Sequence, residues 1–145
     1  MGTAKMSTFD VSKLSVLYVE DNLPSRRIMS ILLRQLTIPH VAFFENSTDF
    51  IPRVEQLTPP PNLFLLDIHL VPLDGFEMLA LLRKHPKFQD SLIIATTASV
   101  LNDEVKKLKE AGFNGVIAKP VDMDRFPETI ERAVTSPSTW FSTND

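Results

Sequence analysis

The chain has 145 residues, 43% of them hydrophobic and 23% charged, the balance of a single globular domain with one substantial core. A net charge of −3 argues against a nucleic-acid-binding face, and the absence of cysteine excludes disulfides, thiolate catalysis and cysteine-ligated zinc. No apolar run approaches the roughly 20 residues that cross a bilayer, and the opening MGTAKMSTFD lacks the apolar core of a secretory signal, so the expected setting is cytoplasmic with no membrane partner.

Residues 1–12 read as an extension ahead of the domain. SVLYV at 15–19 is short and nearly continuous in hydrophobicity, as a strand buried on both faces should be. It ends in Glu20-Asp21. Residues 24–36 place Ile28, Ile31, Leu32 and Leu36 on a helical stripe opened by Pro24. VAFF at 41–44 is a second strand. The segment 47–57 after it is a weak helix, because Pro52 should kink it or shift its start. Three prolines at 59–61 force an extended connection into LFLL at 63–66, which runs straight into Asp67.

Asp74-Gly75 reads as the turn that starts a third helix, marked by Phe76, Leu79 and Leu82. LIIAT at 92–96 is the fourth strand, with Thr97 following. Asn102 or Asp103 is positioned to cap a fourth helix through Val105, Leu108 and Ala111, which Gly112 stops. GVIA at 115–118 is the fifth strand and leads into Lys119-Pro120. A last helix over 124–134 carries Phe126, Ile130 and Val134, and residues 135–145 read as a tail in which Trp140 and Phe141 are the residues able to dock. The domain proper is 13–134.

Five strands alternating with five helices imply an α/β fold: a doubly wound, five-stranded parallel sheet with right-handed crossovers and helices on both faces. Ligands of such sheets sit beyond the carboxyl ends of the strands. Glu20 and Asp21 end the first strand, Asp67 the third, Thr96 and Thr97 the fourth, and Lys119 the fifth. Two carboxylates about 5 Å apart repel by roughly 3 kcal/mol at an effective dielectric of 20, and one lysine leaves three of them net negative. A divalent cation resolves that conflict. All-oxygen ligation favours magnesium, with manganese as the alternative, over zinc. Such an ion grips a phosphoryl group, Lys119 and Thr97 can hold the remaining phosphoryl oxygens, and Asp67 is the natural nucleophile for an acyl phosphate.

The chain resembles a response-regulator receiver domain, of flavodoxin-like (βα)5 architecture, over residues 13–134. The likeness rests on the acidic pair in YVEDN, on Asp67 followed by Asp74-Gly75, on Thr97-Ala98 and on Lys119-Pro120. The spacings match as well: 30 residues from Asp67 to Thr97 and 22 from Thr97 to Lys119. The resemblance implies phosphoryl transfer to Asp67 from a histidine kinase or a histidine phosphotransfer protein, with magnesium required. It also implies a metal set of Glu20, Asp21, Asp67 and the backbone carbonyl of His69. Two positions depart from the pattern. Val71 stands where the family has proline, with Pro72 one residue later, and Val116 stands where it has the tyrosine or phenylalanine that moves with the threonine.

In the family, the fourth helix, fifth strand and fifth helix form a face that binds downstream partners. Here Lys106, Lys107 and Lys109 oppose Asp124, Glu128 and Glu131 on that face, which suits a charge-matched partner or a homodimer. A receiver-like protein-binding module that never uses phosphorylation is the competing reading, favoured by Val116 and opposed by the intact acids, Thr97 and Lys119. An aspartate-nucleophile phosphatase would need a second acid where His69 stands. A glycine-rich phosphate loop is also missing, since the only glycines are Gly2, Gly75, Gly112 and Gly115, so an enzyme is not expected.

Overall fold

The structure, a computed structural model, describes residues 10–143. Most of the expected extension at 1–12, and the last two residues of the expected tail, lie outside the described residues. Strands β1 (Ser15–Val19), β2 (His40–Phe44), β3 (Leu63–Asp67), β4 (Leu92–Thr97), β5 (Gly115–Ala118) and β6 (Phe141–Ser142) form one sheet in the order β2-β1-β3-β4-β5-β6. Every neighbouring pair is parallel. Five helices connect them: α1 (Leu23–Gln35), α2 (Phe50–Glu55), α3 (Gly75–Lys84), α4 (Asn102–Ala111) and α5 (Phe126–Thr135).

The alternation of side chains along each strand divides the core in two. Val16, Tyr18, Leu63, Leu65, Ile94 and Ile117 face α1 and α5 and meet Met29, Leu33, Phe126 and Ile130. Leu17, Val19, Phe64, Leu66, Ile93 and Val116 face the other way and meet Val54, Met78, Leu82 and Leu108 of α2, α3 and α4. Burial on both faces is why these strands read as unbroken apolar runs.

Local signals explain the helix bounds. Asn22 caps α1 by accepting the Ser25 N–H, and Pro24 sits in the first turn, where its missing N–H costs nothing. In α2, Pro52 does shift the start: the helix is six residues long, and Asp49 precedes it with a left-handed φ of 49°. Asp74 opens α3 through a reciprocal capping box with Glu77. The α4 start differs from the sequence expectation. Leu101 is its N-cap, without a side-chain cap bond, while Asn102 and Asp103 belong to the first turn. There the carboxylates of Asp103 and Glu104 complement the positive end of the helix dipole.

The segment read as a tail contributes β6. Phe141 pairs with Gly115 and Ser142 with Val116, so β5 is not the edge of the sheet. Phe141 is buried among the α5-side residues, and Trp140 packs against the opposite cluster. Thr143 continues the pairing, its N–H donating to Val116 O at 3.1 Å and its Oγ1 accepting the Ala118 N–H at 2.7 Å.

Candidate functional site

Strand register builds the site. Val19 lies beside Leu66 and Asp67 beside Thr96, which puts Glu20 next to Asp67 at the carboxyl rim; Thr97 lies beside Ala118, one residue before Lys119. The ladder continues past the strand ends, with Ile68 N–H donating to Thr96 O at 3.2 Å and Lys119 N–H to Thr97 O at 2.9 Å. Two devices hold the loop after β3. The Ser47 hydroxyl both donates to Leu73 O (2.7 Å) and accepts from Leu73 N–H (2.8 Å). Gly75 packs so closely that a Cβ would lie 2.9 Å from the Ile68 Cα and 3.1 Å from the Asp67 carbonyl oxygen. Only glycine lets α3 start against the residues that follow Asp67.

At the rim, Glu20, Asp21 and Asp67 each offer a carboxylate oxygen within 4.8 Å of the others. Glu20 and Asp67 are buried, at 1% and 4% exposure, and Asp21 is exposed. Lys119 Nζ donates to Glu20 Oε1 at 2.9 Å and lies 3.4 Å from Asp67 Oδ2. The His69 N–H donates to Asp67 Oδ1 at 3.1 Å. Glu20, Asp21, Asp67, His69 and Lys119 line one open groove of about 440 Å³.

Burial penalises every charge here, and the partners decide which groups stay ionised. Burial pushes Asp67 up; the His69 N–H opposes it, the Glu20 carboxylate reinforces it, and the outcome is a carboxyl held above its usual range. Burial acts on Glu20 in the same direction but is outweighed by the hydrogen bonds from Lys119, Asp67 and the Asn22 N–H, which hold it below the usual range. Lys119 loses to burial and gains more from the two acids, so it stays cationic. Of the buried pair, Glu20 carries the charge and Asp67 the tendency to keep a proton. An all-oxygen set of three acids with one ammonium against two of them fits a small hard cation of the magnesium or manganese type.

Thr97 stands slightly apart. Its Oγ1 accepts the Ser99 N–H at 3.2 Å, and it lines a neighbouring cavity of about 160 Å³ with Ile68, Phe76 and Leu108. The Ser99 hydroxyl donates to the Glu104 carboxylate, linking the threonine to the first turn of α4. Val116 is fully buried, paired to β6 on its outer side.

Three more residues hold Glu20 in ways the sequence does not show. The Tyr18 hydroxyl donates to Glu20 Oε1 at 3.0 Å, the Asn22 N–H donates to Glu20 Oε2 at 3.2 Å, and Arg26 Nη1 donates to the Glu20 carbonyl at 2.8 Å. Burial and the Glu20 carboxylate push the Tyr18 phenol up, so it remains a donor. The usable signal is strand parity: Glu20, one residue past the end of β1, falls on the same side as Tyr18.

A parallel sheet of this strand order, with acids and a lysine converging on its carboxyl rim, defines a receiver-type signalling module. The response regulator receiver domain family matches residues 16–131, and the chain belongs to that family. It is 30% identical over 125 residues to the signal transduction histidine-protein kinase BarA of Escherichia coli, covering 85% of this chain and 13% of that kinase. The receiver domain of the sensor histidine kinase PA1611 from Pseudomonas aeruginosa superposes with a TM-score of 0.73 at 25% identity, over 85% of this chain and 98% of that one; that structure has a magnesium ion coordinated in its active-site cleft. The chemotaxis response regulator CheY4 of Vibrio cholerae shares the fold, with a TM-score of 0.72 at 19% identity over 82% of this chain and 97% of that one. Receiver domains are signalling modules, and none of the helices among the described residues is long and apolar enough to cross a membrane.

Proposed function

We propose that this chain is a phosphorylation-dependent receiver, acting in the cytoplasm, in which Asp67 accepts a phosphoryl group from the phosphohistidine of a histidine kinase or phosphotransfer protein. An Asp67 oxygen forms a bond to phosphorus as the phosphorus–nitrogen bond breaks, and the imidazole nitrogen keeps the electron pair. The observation that carries this reading is the convergence of Glu20, Asp21 and Asp67 within 4.8 Å, with Lys119 bridging the two buried acids. Asp21, Asp67, Glu20 and the His69 carbonyl would hold magnesium, or manganese in its place. A divalent ion there supplies positive charge that offsets the carboxylates and polarises the phosphoryl oxygens. Lys119 and Thr97 hold the remaining oxygens of the phosphoryl group, Thr97 by giving up its bond to Ser99.

The functional unit is 13–134, with 135–143 as an addition that extends the sheet by one strand. Because β6 lines β5, the downstream partner meets α4, β6 and α5, with Lys106, Lys107 and Lys109 exposed on one side and Asp124 and Glu128 on the other. The same surface suits a homodimer. The test is a thermal melt with magnesium and beryllium fluoride, a mimic of the phosphoryl group. Stabilisation beyond that given by magnesium alone, needing both additives and absent in Asp67→Asn, supports the reading. Stabilisation by neither leaves the phosphorylation-independent binding module as the function.

A further inference from the structure

Tyr18 sits in the middle of a buried strand, where an aliphatic residue would fill the core without needing a hydrogen-bond partner. Its ring packs edge-on against Phe43 with centroids 6.3 Å apart, and both Tyr18 and Glu20 are only 1% exposed. Glu20 Oε1 therefore has no solvent to turn to. It takes two donors: the Tyr18 hydroxyl at 3.0 Å and Lys119 Nζ at 2.9 Å. The two differ in mobility. Lys119 is a flexible arm already 3.4 Å from Asp67 Oδ2, whereas Tyr18 is fixed by β1 and by its ring contacts. A phosphoryl group on Asp67 adds strong acceptor oxygens within reach of the ammonium.

We propose that Tyr18 is a positioning residue whose hydroxyl keeps the buried Glu20 oxygen hydrogen-bonded when Lys119 turns from Glu20 to the phosphoryl group on Asp67. Without it, each move of Lys119 would leave a buried carboxylate oxygen with no donor, and the lysine would be held back on Glu20. This rests on the reading of Asp67 as phosphoacceptor.

The test uses Tyr18→Phe, which keeps the ring, alone and combined with Lys119→Met. Magnesium affinity and beryllofluoride affinity at saturating magnesium are measured separately. We expect Tyr18→Phe to weaken beryllofluoride binding about tenfold and magnesium binding by less than about twofold, the loss of one hydrogen bond to a charged group felt only when Lys119 departs. In the Lys119→Met background the same substitution should leave beryllofluoride affinity unchanged, because no lysine remains to move. Equal weakening of both ligands, or an effect that persists in Lys119→Met, would mark a merely structural role and overturn the inference. Wild-type binding that Tyr18→Phe leaves untouched would overturn the inference alone. A wild type that binds no beryllofluoride at saturating magnesium would overturn the functional reading and the inference with it.

Discussion

Phe141 lies over Gly115. The two are register partners across β5 and β6, and the ring occupies the space that a Cβ on residue 115 would need. A glycine in a buried strand normally weakens it; here it makes room for an aromatic residue 26 positions later in the chain. Gly115→Ala should push Phe141 out and lower stability by about 1–3 kcal/mol, the usual cost of overpacking. Trp140, the only tryptophan, should then shift its fluorescence to the red as it loses its packing. An alanine variant with unchanged stability and emission would show that β6 does not depend on this contact.

Gly75 is a second place where space rather than backbone freedom demands glycine. In Gly75→Ala the new Cβ meets the Ile68 backbone at 2.9 Å, which moves the loop carrying His69. A loss of about 1–3 kcal/mol is expected from the overlap, together with weaker magnesium binding, since the Asp67 carbonyl lies 3.1 Å from the same atom. Chemical denaturation and a magnesium titration on one protein sample would check both.

The opposite shifts of the two buried acids predict opposite stability effects. Asp67 is held above its usual range, so keeping it ionised at neutral pH costs the folded state stability, and that cost fades as the pH falls and it protonates. Asp67→Asn should therefore stabilise the metal-free protein near pH 7 by about 1–3 kcal/mol, mainly by removing a buried charge, with Glu20 repulsion adding to that cost and Lys119 offsetting part of it. Glu20 is depressed, so its contribution is present at neutral pH and is lost as the pH falls through its folded value. Glu20→Gln should accordingly destabilise near pH 7. Thermal melts in a chelator, repeated at acidic pH where both differences shrink, measure the signs.

The path from the site outward runs through the β4–α4 loop. If Thr97 turns to the phosphoryl group, it releases the Ser99 N–H and disturbs the Ser99–Glu104 bond at the start of α4. Val116 is stiff about its first torsion and walled in by β6, so it cannot swing as an aromatic residue would. Beryllofluoride should change amide exchange mainly in 98–111, with little change at Val116. Val116→Tyr should alter the size of that response and leave phosphorylation nearly intact. Protection changes centred on Val116 with 98–111 silent would contradict this route.

Much of this was legible in the sequence because strands buried on both faces leave unbroken apolar runs, and the first, third, fourth and fifth runs end at residues of the carboxyl rim. Asp67 and Lys119 were located by that logic alone. What stayed hidden depended on contacts and turns that residue type does not show. β6 is two residues long, too short for any periodicity, and its fit over Gly115 and the bonds of the following Thr143 to Val116 and Ala118 define it. Tyr18 reads as one more apolar residue of SVLYV; strand parity puts it on the side of Glu20, but nothing in the run shows that its hydroxyl is used. Asn102 and Asp103 are good caps by residue type, but α4 starts one residue earlier, with Leu101 as its cap.

Intact-protein mass after incubation with a small-molecule phosphodonor tests the central claim most directly. The account predicts a gain of one phosphoryl group that requires magnesium or manganese, is absent in Asp67→Asn, and maps to the peptide containing Asp67. No mass gain with the metal present, or a gain that survives Asp67→Asn, would contradict it.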